Sequence, residues 1–420
     1  MNDVHHSYTQ DQANIDPYSL PLDSLDVANP YLFASDAHGP WFKRLRDEAP
    51  VHYCAESFYG PYWSVTRYQD IMTVDTSHEI FSSEPEITIR DQEADFKIPM
   101  FIAMDPPRHE AQRKVVSPVT GGENLRYFEP IIRERTVDVL DHLPLGETFD
   151  WVDKVSIELT TRMLATLFDF PFEDRRKLTH WSDVSTAIPG MGLIDTEEQR
   201  HQELYECLEC FTGLWNERVN KPVTNDLISM LAHGESTKNM APMEYLGNLV
   251  LLIVGGNDTT RNTMSASVLA LHQNPGQFSK LVDNPQLIPS MVAETIRWQT
   301  PLSHMRRRAT IDTELAGQTI RAGDKVVMWY VSGNRDERFM ERPDDFIIDR
   351  PDVRKHLSFG FGIHRCMGNR LAELQLRILW EEILERFERI EVTGEVQRTV
   401  SSFVHGYTAL PVRLHPRRRG

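Results

Sequence analysis

Cysteine is scarce in this 420-residue chain, with four in all (Cys54, Cys207, Cys210 and Cys366), so a disulfide framework is excluded and each thiol is expected to be free. Basic charge is short as well: 45 Lys and Arg face 62 Asp and Glu, a formal net charge of −17. Neutralising nucleic-acid phosphates needs a broad cationic face that this balance does not supply, so no nucleic-acid partner is expected. Long apolar runs are missing too. The block Leu249–Val254 falls well short of the roughly 20 residues that cross a bilayer, so no membrane span is expected. The opening MNDVHHSYTQDQANIDPYS has neither a cationic start nor an apolar core, and a cytoplasmic location without a signal peptide is the expectation. No Gly/Ser or Pro-rich linker, internal repeat or low-complexity tract divides the chain. With 40% hydrophobic and 25% charged residues, it holds the material for one sizeable core. It reads as a polar N-terminal arm over residues 1–39 and a single domain over residues 40–420.

What the sequence does have is helical periodicity. Apolar spacing predicts helices over 41–48, 108–116, 128–143, 155–168, 196–219, 242–272 and 289–298. From 303 to 327 short β-like pieces follow, punctuated by Gly and Asp. An irregular stretch leads to an amphipathic helix over 367–387, with Leu371, Leu374 and Ile378 on one stripe, and the last residues again read as strands. The fold class is therefore mainly α with minor β.

Cys366 lies in FGFGIHRCMG, immediately before that amphipathic helix. A sulfur there meets the positive end of the helix dipole and several backbone N–H groups, and His364 and Arg365 add cationic character. The flanking glycines, Gly368 among them, let backbone approach something flat and bulky, and Phe359 offers a ring to pack beneath it. A lone cysteine is otherwise an ordinary packed residue. A second unusual block is Gly255-Gly256-Asn257-Asp258-Thr259-Thr260, set inside the apolar helix over 242–272. Two interior glycines cost about 1 kcal/mol each against alanine, so a local distortion of that helix is expected.

The pattern F-x-x-G-x-H-x-C-x-G resembles the haem-binding loop of the cytochrome P-450 family, and other motifs follow in the family's order. Glu294-Thr295-Ile296-Arg297 matches its E-x-x-R pair, with Arg350 as the candidate third member. His109 and Arg113 match its H-x-x-x-R pair for the haem propionates, with Arg307 and His364 in two further such slots. The resemblance implies the family's triangular helical prism with small antiparallel sheets, haem b as cofactor (iron protoporphyrin IX), and the Cys366 thiolate as its axial metal ligand. It implies that Gly255 opens a groove for dioxygen, that Thr259 hydrogen-bonds the bound oxygen, and that Asp258 relays protons from solvent. His109, Arg113, Arg307, Phe359, His364, Cys366, Gly368 and Gly255 are thus the expected cofactor contacts, and Asp258 and Thr259 the expected catalytic pair.

The implied activity is monooxygenation of a C–H bond. Flavin, nicotinamide and iron–sulfur fingerprints are absent from the sequence, so a ferredoxin and its NAD(P)H-dependent reductase are the expected electron donors. They would dock on a basic patch of Arg113, Lys114, Arg365 and Arg370. The segments around GGNDTTRNTM and the cysteine loop resemble the bacterial branch that hydroxylates the terminal carbon of medium-chain alkanes and fatty acids. Ile89, Phe101, Ile102, Met191, Leu193, Leu302 and Phe403 are the expected apolar lining. Two other readings stand beside it: a hydroxylase of a terpene, steroid or antibiotic precursor, and a non-catalytic haem sensor. Cys207-Leu208-Glu209-Cys210 is a lone C-x-x-C in a helical run and is read as packing, while His5-His6 and Arg417–Arg419 are read as chain ends.

Overall fold

The computed structural model describes residues 8–417; His5, His6, Arg418 and Arg419 lie outside them. Its axis is the helix Pro242–Gln273, which starts on a proline whose missing N–H costs nothing at the first helical position. This helix is buried along most of its length and packs on two separate apolar clusters. Its first half, Tyr245 to Ile253, joins Phe168, Trp181 and Phe211. Its second half, Met264 to Leu271, joins Trp151, Met291 and Trp380, where the Trp380 indole N–H donates to Ser267 Oγ at 2.8 Å. Between the two clusters lies the segment Gly255–Thr260, the one stretch of the helix whose side chains are too small or too polar to close the core.

The two glycines do not end the helix: it continues unbroken through Gly255 and Gly256, against the interruption that their propensity favours. Burial on both flanks outweighs about 2 kcal/mol of lost propensity, and the Thr259 hydroxyl donates back to the Gly255 carbonyl at 2.9 Å within the helix. A hydroxyl-to-backbone bond of this kind is satisfied without breaking the ladder.

The helices Arg108–Val116, Gly122–Asp141, Glu158–Phe168, Glu197–Arg218, Ile288–Gln299 and Asn369–Arg386 surround this axis. The main sheet has the spatial order Val51–Cys54, Tyr62–Val65, Lys325–Met328, Met305–Ala309 and Phe81–Ser82. It is mixed, not purely antiparallel: Tyr62–Val65 pairs in parallel with Lys325–Met328, and the remaining neighbours are antiparallel. Smaller antiparallel sheets use Thr148–Asp150, Pro411–Pro416 and Phe387–Val392, and the hairpin Thr313–Leu315 with Gln318–Ile320.

The N-terminal segment, polar by composition, is packed on the body. Leu25, Val27, Ala28, Leu32 and Phe33 are buried in one cluster with Trp41, Phe42 and Trp329. Polar residues interleave with these apolar ones in the sequence and mask them. Among the described residues no helix is long and apolar enough to cross a membrane.

Candidate active site

The cysteine loop is built by backbone hydrogen bonds. The Cys366 N–H donates to the Phe359 carbonyl at 2.7 Å, closing the loop on itself. Gly360 and Gly362 take φ of +64° and +66°, a region that suits glycine, and a Cβ on Gly362 would stand 2.6 Å from the Asp75 carbonyl oxygen. The helix after the loop begins at Asn369, so the N–H groups of Gly368 and Asn369 face the sulfur. Burial pushes the Cys366 thiol up; those two N–H groups and the guanidinium groups of Arg113 and Arg365 oppose it. The balance leaves the thiol raised in the protein alone, and a metal ion in contact with the sulfur would favour the thiolate.

Cys366 opens into a cavity of about 370 Å³ whose opposite wall carries Gly255, Gly256, Thr259 and Thr260 of the long helix. A Cβ on Gly255 or on Gly368 would meet nothing within 4 Å, so the wall is recessed at both places. Arg113, Arg307, Phe359 and His364 line the same cavity, while His109 stands behind His364 with ring centroids 4.1 Å apart. The Arg307 guanidinium pairs with Asp75 at 2.8 Å. Asp75 in turn accepts from the Tyr330 hydroxyl at 3.0 Å and the Phe361 N–H at 2.7 Å, so one carboxylate fixes both a cavity arginine and the cysteine loop.

The ring nitrogens of His109 and His364 are all buried and lack hydrogen-bond partners. Burial holds His109 down to about 4, helped by Arg113, and His364 down to about 2, helped by Arg307 and His109. Donors left without acceptors, next to two guanidinium groups, are what a pair of buried carboxylates would satisfy. The residues therefore fit haem b: sulfur on one face, recessed glycines at the loop and at the helix wall, and cationic groups at the edge.

Asp258 is fully buried and does not line the cavity; its neighbour Thr259 does. The Asp258 carboxylate accepts from Asn257 Nδ2 at 2.9 Å and Ser182 Oγ at 3.1 Å, and lies 3.0 Å from the Arg261 guanidinium. Arg261 also pairs with Asp183, whose side chain is 34% exposed. Arg261 thus bridges the buried Asp258 to the partly exposed Asp183, and neither Arg261 nor Asp183 is among the residues expected from the sequence. The i, i+3 spacing of Asp258 and Arg261 on the helix was the available signal. Burial raises Asp258 to about 6, against the pull of Arg261.

Glu294 and Arg297 are fully buried, with contacts of 2.7 and 2.8 Å, and Arg350 reaches both Glu294 oxygens at 3.2 Å. Arg297 donates onward to the carbonyls of Asn334 and Pro343, which anchors the irregular segment before the cysteine loop. Of the expected apolar lining, Ile89, Phe101, Ile102, Leu302 and Phe403 border the cavity. Met191 and Leu193 do not; Leu193 is 52% exposed, because the turn that carries it points outward. His304, behind the wall, is bonded at both nitrogens: Nδ1 donates to the Ser402 carbonyl at 3.0 Å and Nε2 accepts the Ile89 N–H at 3.2 Å. Cys207 packs in the core near Phe211, and Cys210 is half-buried one turn along the same helix.

A cysteine presented by a tight loop across a cavity from a glycine-bearing helix, with basic groups at its edge, is the layout of a haem-thiolate protein. A family model for Cytochrome P450 matches residues 58–405, and the chain belongs to the cytochrome P450 family, a family of monooxygenases that bind haem b through a cysteine thiolate. The chain is similar to linalool 8-monooxygenase of Pseudomonas putida, at 36% identity over 93% of this chain and 99% of that one. It is similar to the methyl-branched lipid omega-hydroxylase of Mycobacterium tuberculosis, at 30% identity over 94% and 96%. Among solved structures, CYP153D17 from Sphingomonas sp. PAMC 26605 matches with a TM-score of 0.88 and 50% identity, over 94% of this chain and 100% of that one.

Proposed function

We propose that the enzyme hydroxylates the terminal carbon of a medium-chain alkane or fatty acid, giving a primary alcohol, with Cys366 as the axial ligand of its haem. The observation that carries this reading is the set of apolar side chains, Ile89, Phe101, Ile102, Leu302 and Phe403, that line the cavity Cys366 enters and give a hydrocarbon chain a surface to pack on. A methyl C–H is stronger than its methylene neighbours, so attack at the chain end needs confinement more than chemical preference. The similarity to an omega-hydroxylase of lipids supports the same choice.

When bound, haem with a thiolate ligand supplies reductive activation of O₂. The overall reaction takes the substrate, O₂, two electrons and two protons to alcohol and water. Two protons must therefore reach the cavity. Asp183 takes them from solvent, Arg261 holds the carboxylates of Asp183 and Asp258 together, and the Thr259 hydroxyl, which donates to the Gly255 carbonyl in the resting structure, turns from that bond to donate into the cavity. A carboxyl titrating near 6 can both hold and release a proton near neutrality. His109, Arg113, Arg307 and His364 would hold the propionates. Electrons come from a ferredoxin and its reductase, docking where Arg113, Lys114, Arg365 and Arg370 surround the cysteine side.

The test is reconstitution with ferredoxin, reductase and NAD(P)H, supplying n-octane, decanoic acid and linalool in parallel. Terminal alcohol from the straight chains supports the proposal, and oxidation confined to linalool rejects it. The similarity to linalool 8-monooxygenase favours a terpenoid substrate as the second reading, and substrate-induced spin-state titrations across the same panel separate the two.

Thr259→Ala is expected to keep electron consumption while diverting most of it to hydrogen peroxide. Product per NAD(P)H, measured beside peroxide, checks this; unchanged coupling removes the role given to the hydroxyl. Asp258→Asn is expected to slow turnover by about 100-fold with little change in substrate affinity. It also removes an inflection near pH 6 from the rate profile. The stability consequence has a definite sign. Folding raises this carboxyl from 3.8 to about 6, so the folded state binds the proton more tightly, and stability falls as pH rises through that window. Asn at 258 is expected to flatten that fall, read by thermal unfolding at pH 4 to 7.

A further inference from the structure

Away from the cavity, the turn between the helices Pro30–Ala34 and His38–Glu48 meets the loop that precedes the strand Tyr407–Ala409. One ligand atom from each of Asp36, His38 and His405 lies within 4.8 Å of the other two. Backbone carbonyls set the orientation of both imidazoles. His405 Nδ1 donates to the Gln299 carbonyl at 2.6 Å, which assigns its lone pair to Nε2. That nitrogen has no partner, in a residue only 5% exposed. His38 is hydrogen-bonded to the Leu32 backbone, and its Nδ1 is buried, unpartnered and 3.9 Å from Asp36 Oδ1.

Histidines that ligate metals are held in this manner, the outer N–H on a carbonyl and the inner lone pair on the ion. The two inward lone pairs and Asp36 Oδ1 are three acceptors facing one another, an arrangement that a cation relieves. The other charged groups facing the cluster are Arg398 and Arg335. Arg398 engages Asp36 Oδ2 at 2.7 Å and leaves Oδ1 to the cluster. These two cations oppose a dication electrostatically, so the attraction must come from directional nitrogen and oxygen donors. That favours a transition ion over calcium or magnesium.

We propose that Asp36, His38 and His405 form a site for a divalent transition cation of the zinc type, with three protein ligands and a fourth position for water. The ion ties the N-terminal turn to the loop 399–406. That loop carries Ser402 and Phe403 into the cavity wall, so the ion steadies one side of the substrate space from outside it.

The experiment uses the haem-loaded enzyme, stripped with a chelator, equilibrated with micromolar zinc chloride and gel-filtered. Zinc and iron are then measured by elemental mass spectrometry, and zinc affinity by calorimetry. One zinc per iron is expected, with a rise in Tm on zinc addition. Asp36 has a 51% exposed side chain and His38 one 12% exposed; both lie outside the haem cavity, and Asp36→Asn and His38→Gln are expected to retain the reduced carbonyl spectrum. Each weakens zinc binding by at least about tenfold and abolishes the Tm rise. Absence of bound zinc overturns the proposal. So does uptake by both variants equal to that of the natural protein, which would place the metal elsewhere, such as the Glu93, Glu197 and His201 group. If one variant fails to fold, the other decides.

Discussion

Cys366→Ser is expected to abolish the thiolate-type absorption of the reduced carbonyl complex and to take hydroxylation below detection. The loop that presents the sulfur is fixed by the Cys366 N–H bond to the Phe359 carbonyl and by the glycines at 360 and 362, none of which depends on the side chain. The variant therefore folds with its cavity intact, and the loss is one of ligand chemistry. A serine hydroxyl is a far weaker acid than a thiol and donates less electron density to iron. The measurement is the carbonyl difference spectrum, taken beside circular dichroism to show that the fold survives. A variant that keeps the thiolate-type band would show that the sulfur at position 366 is not the ligand, and the proposed mechanism would fall with it.

Glu294→Gln is expected to cost about 3–5 kcal/mol, because the change leaves the Arg297 and Arg350 guanidinium groups buried without a carboxylate. Against a total stability of about 5–15 kcal/mol, that is enough to reduce the yield of folded holoenzyme sharply. The same arginines hold the carbonyls of Asn334, Pro343 and Asp345, so the first element to loosen is the segment before the cysteine loop. Haem loss during thermal unfolding should therefore precede the loss of helical signal. Glu235→Gln removes an exposed partner of Lys238 and is expected to change stability by less than about 0.5 kcal/mol. Equal effects from the two substitutions would contradict the role given to burial.

The parts of this protein that could be read from sequence are those encoded over short spacings. The cysteine loop, the E-x-x-R pair and the helix Arg108–Val116 each sit within about three helical turns, and their positions follow from local pattern. What escaped was long-range. Val51–Cys54 and Tyr62–Val65 are four-residue strands whose third neighbour, Lys325–Met328, lies more than 250 positions away, and nothing local announces a parallel pairing. Asp75 is likewise silent in sequence, yet it fixes Arg307 and the cysteine loop together. Gly255 and Gly256 misled in the other direction. Their propensity spoke for a broken helix, whereas packing at both ends kept it continuous; the missing side chain at 255 leaves open space, and Leu164 fills the one at 256.

His304 joins two walls that the chain supplies from distant places, since its ring is bonded to the backbone at both Ile89 and Ser402. Burial holds it down to about 3, so this double tether survives any pH at which the enzyme works. Neither wall can swing without dragging the other. Displacing the segment at Ile89 or the one at Ser402 on its own would break one of the ring's two hydrogen bonds, so the two strands of cavity lining are held in register through a single imidazole.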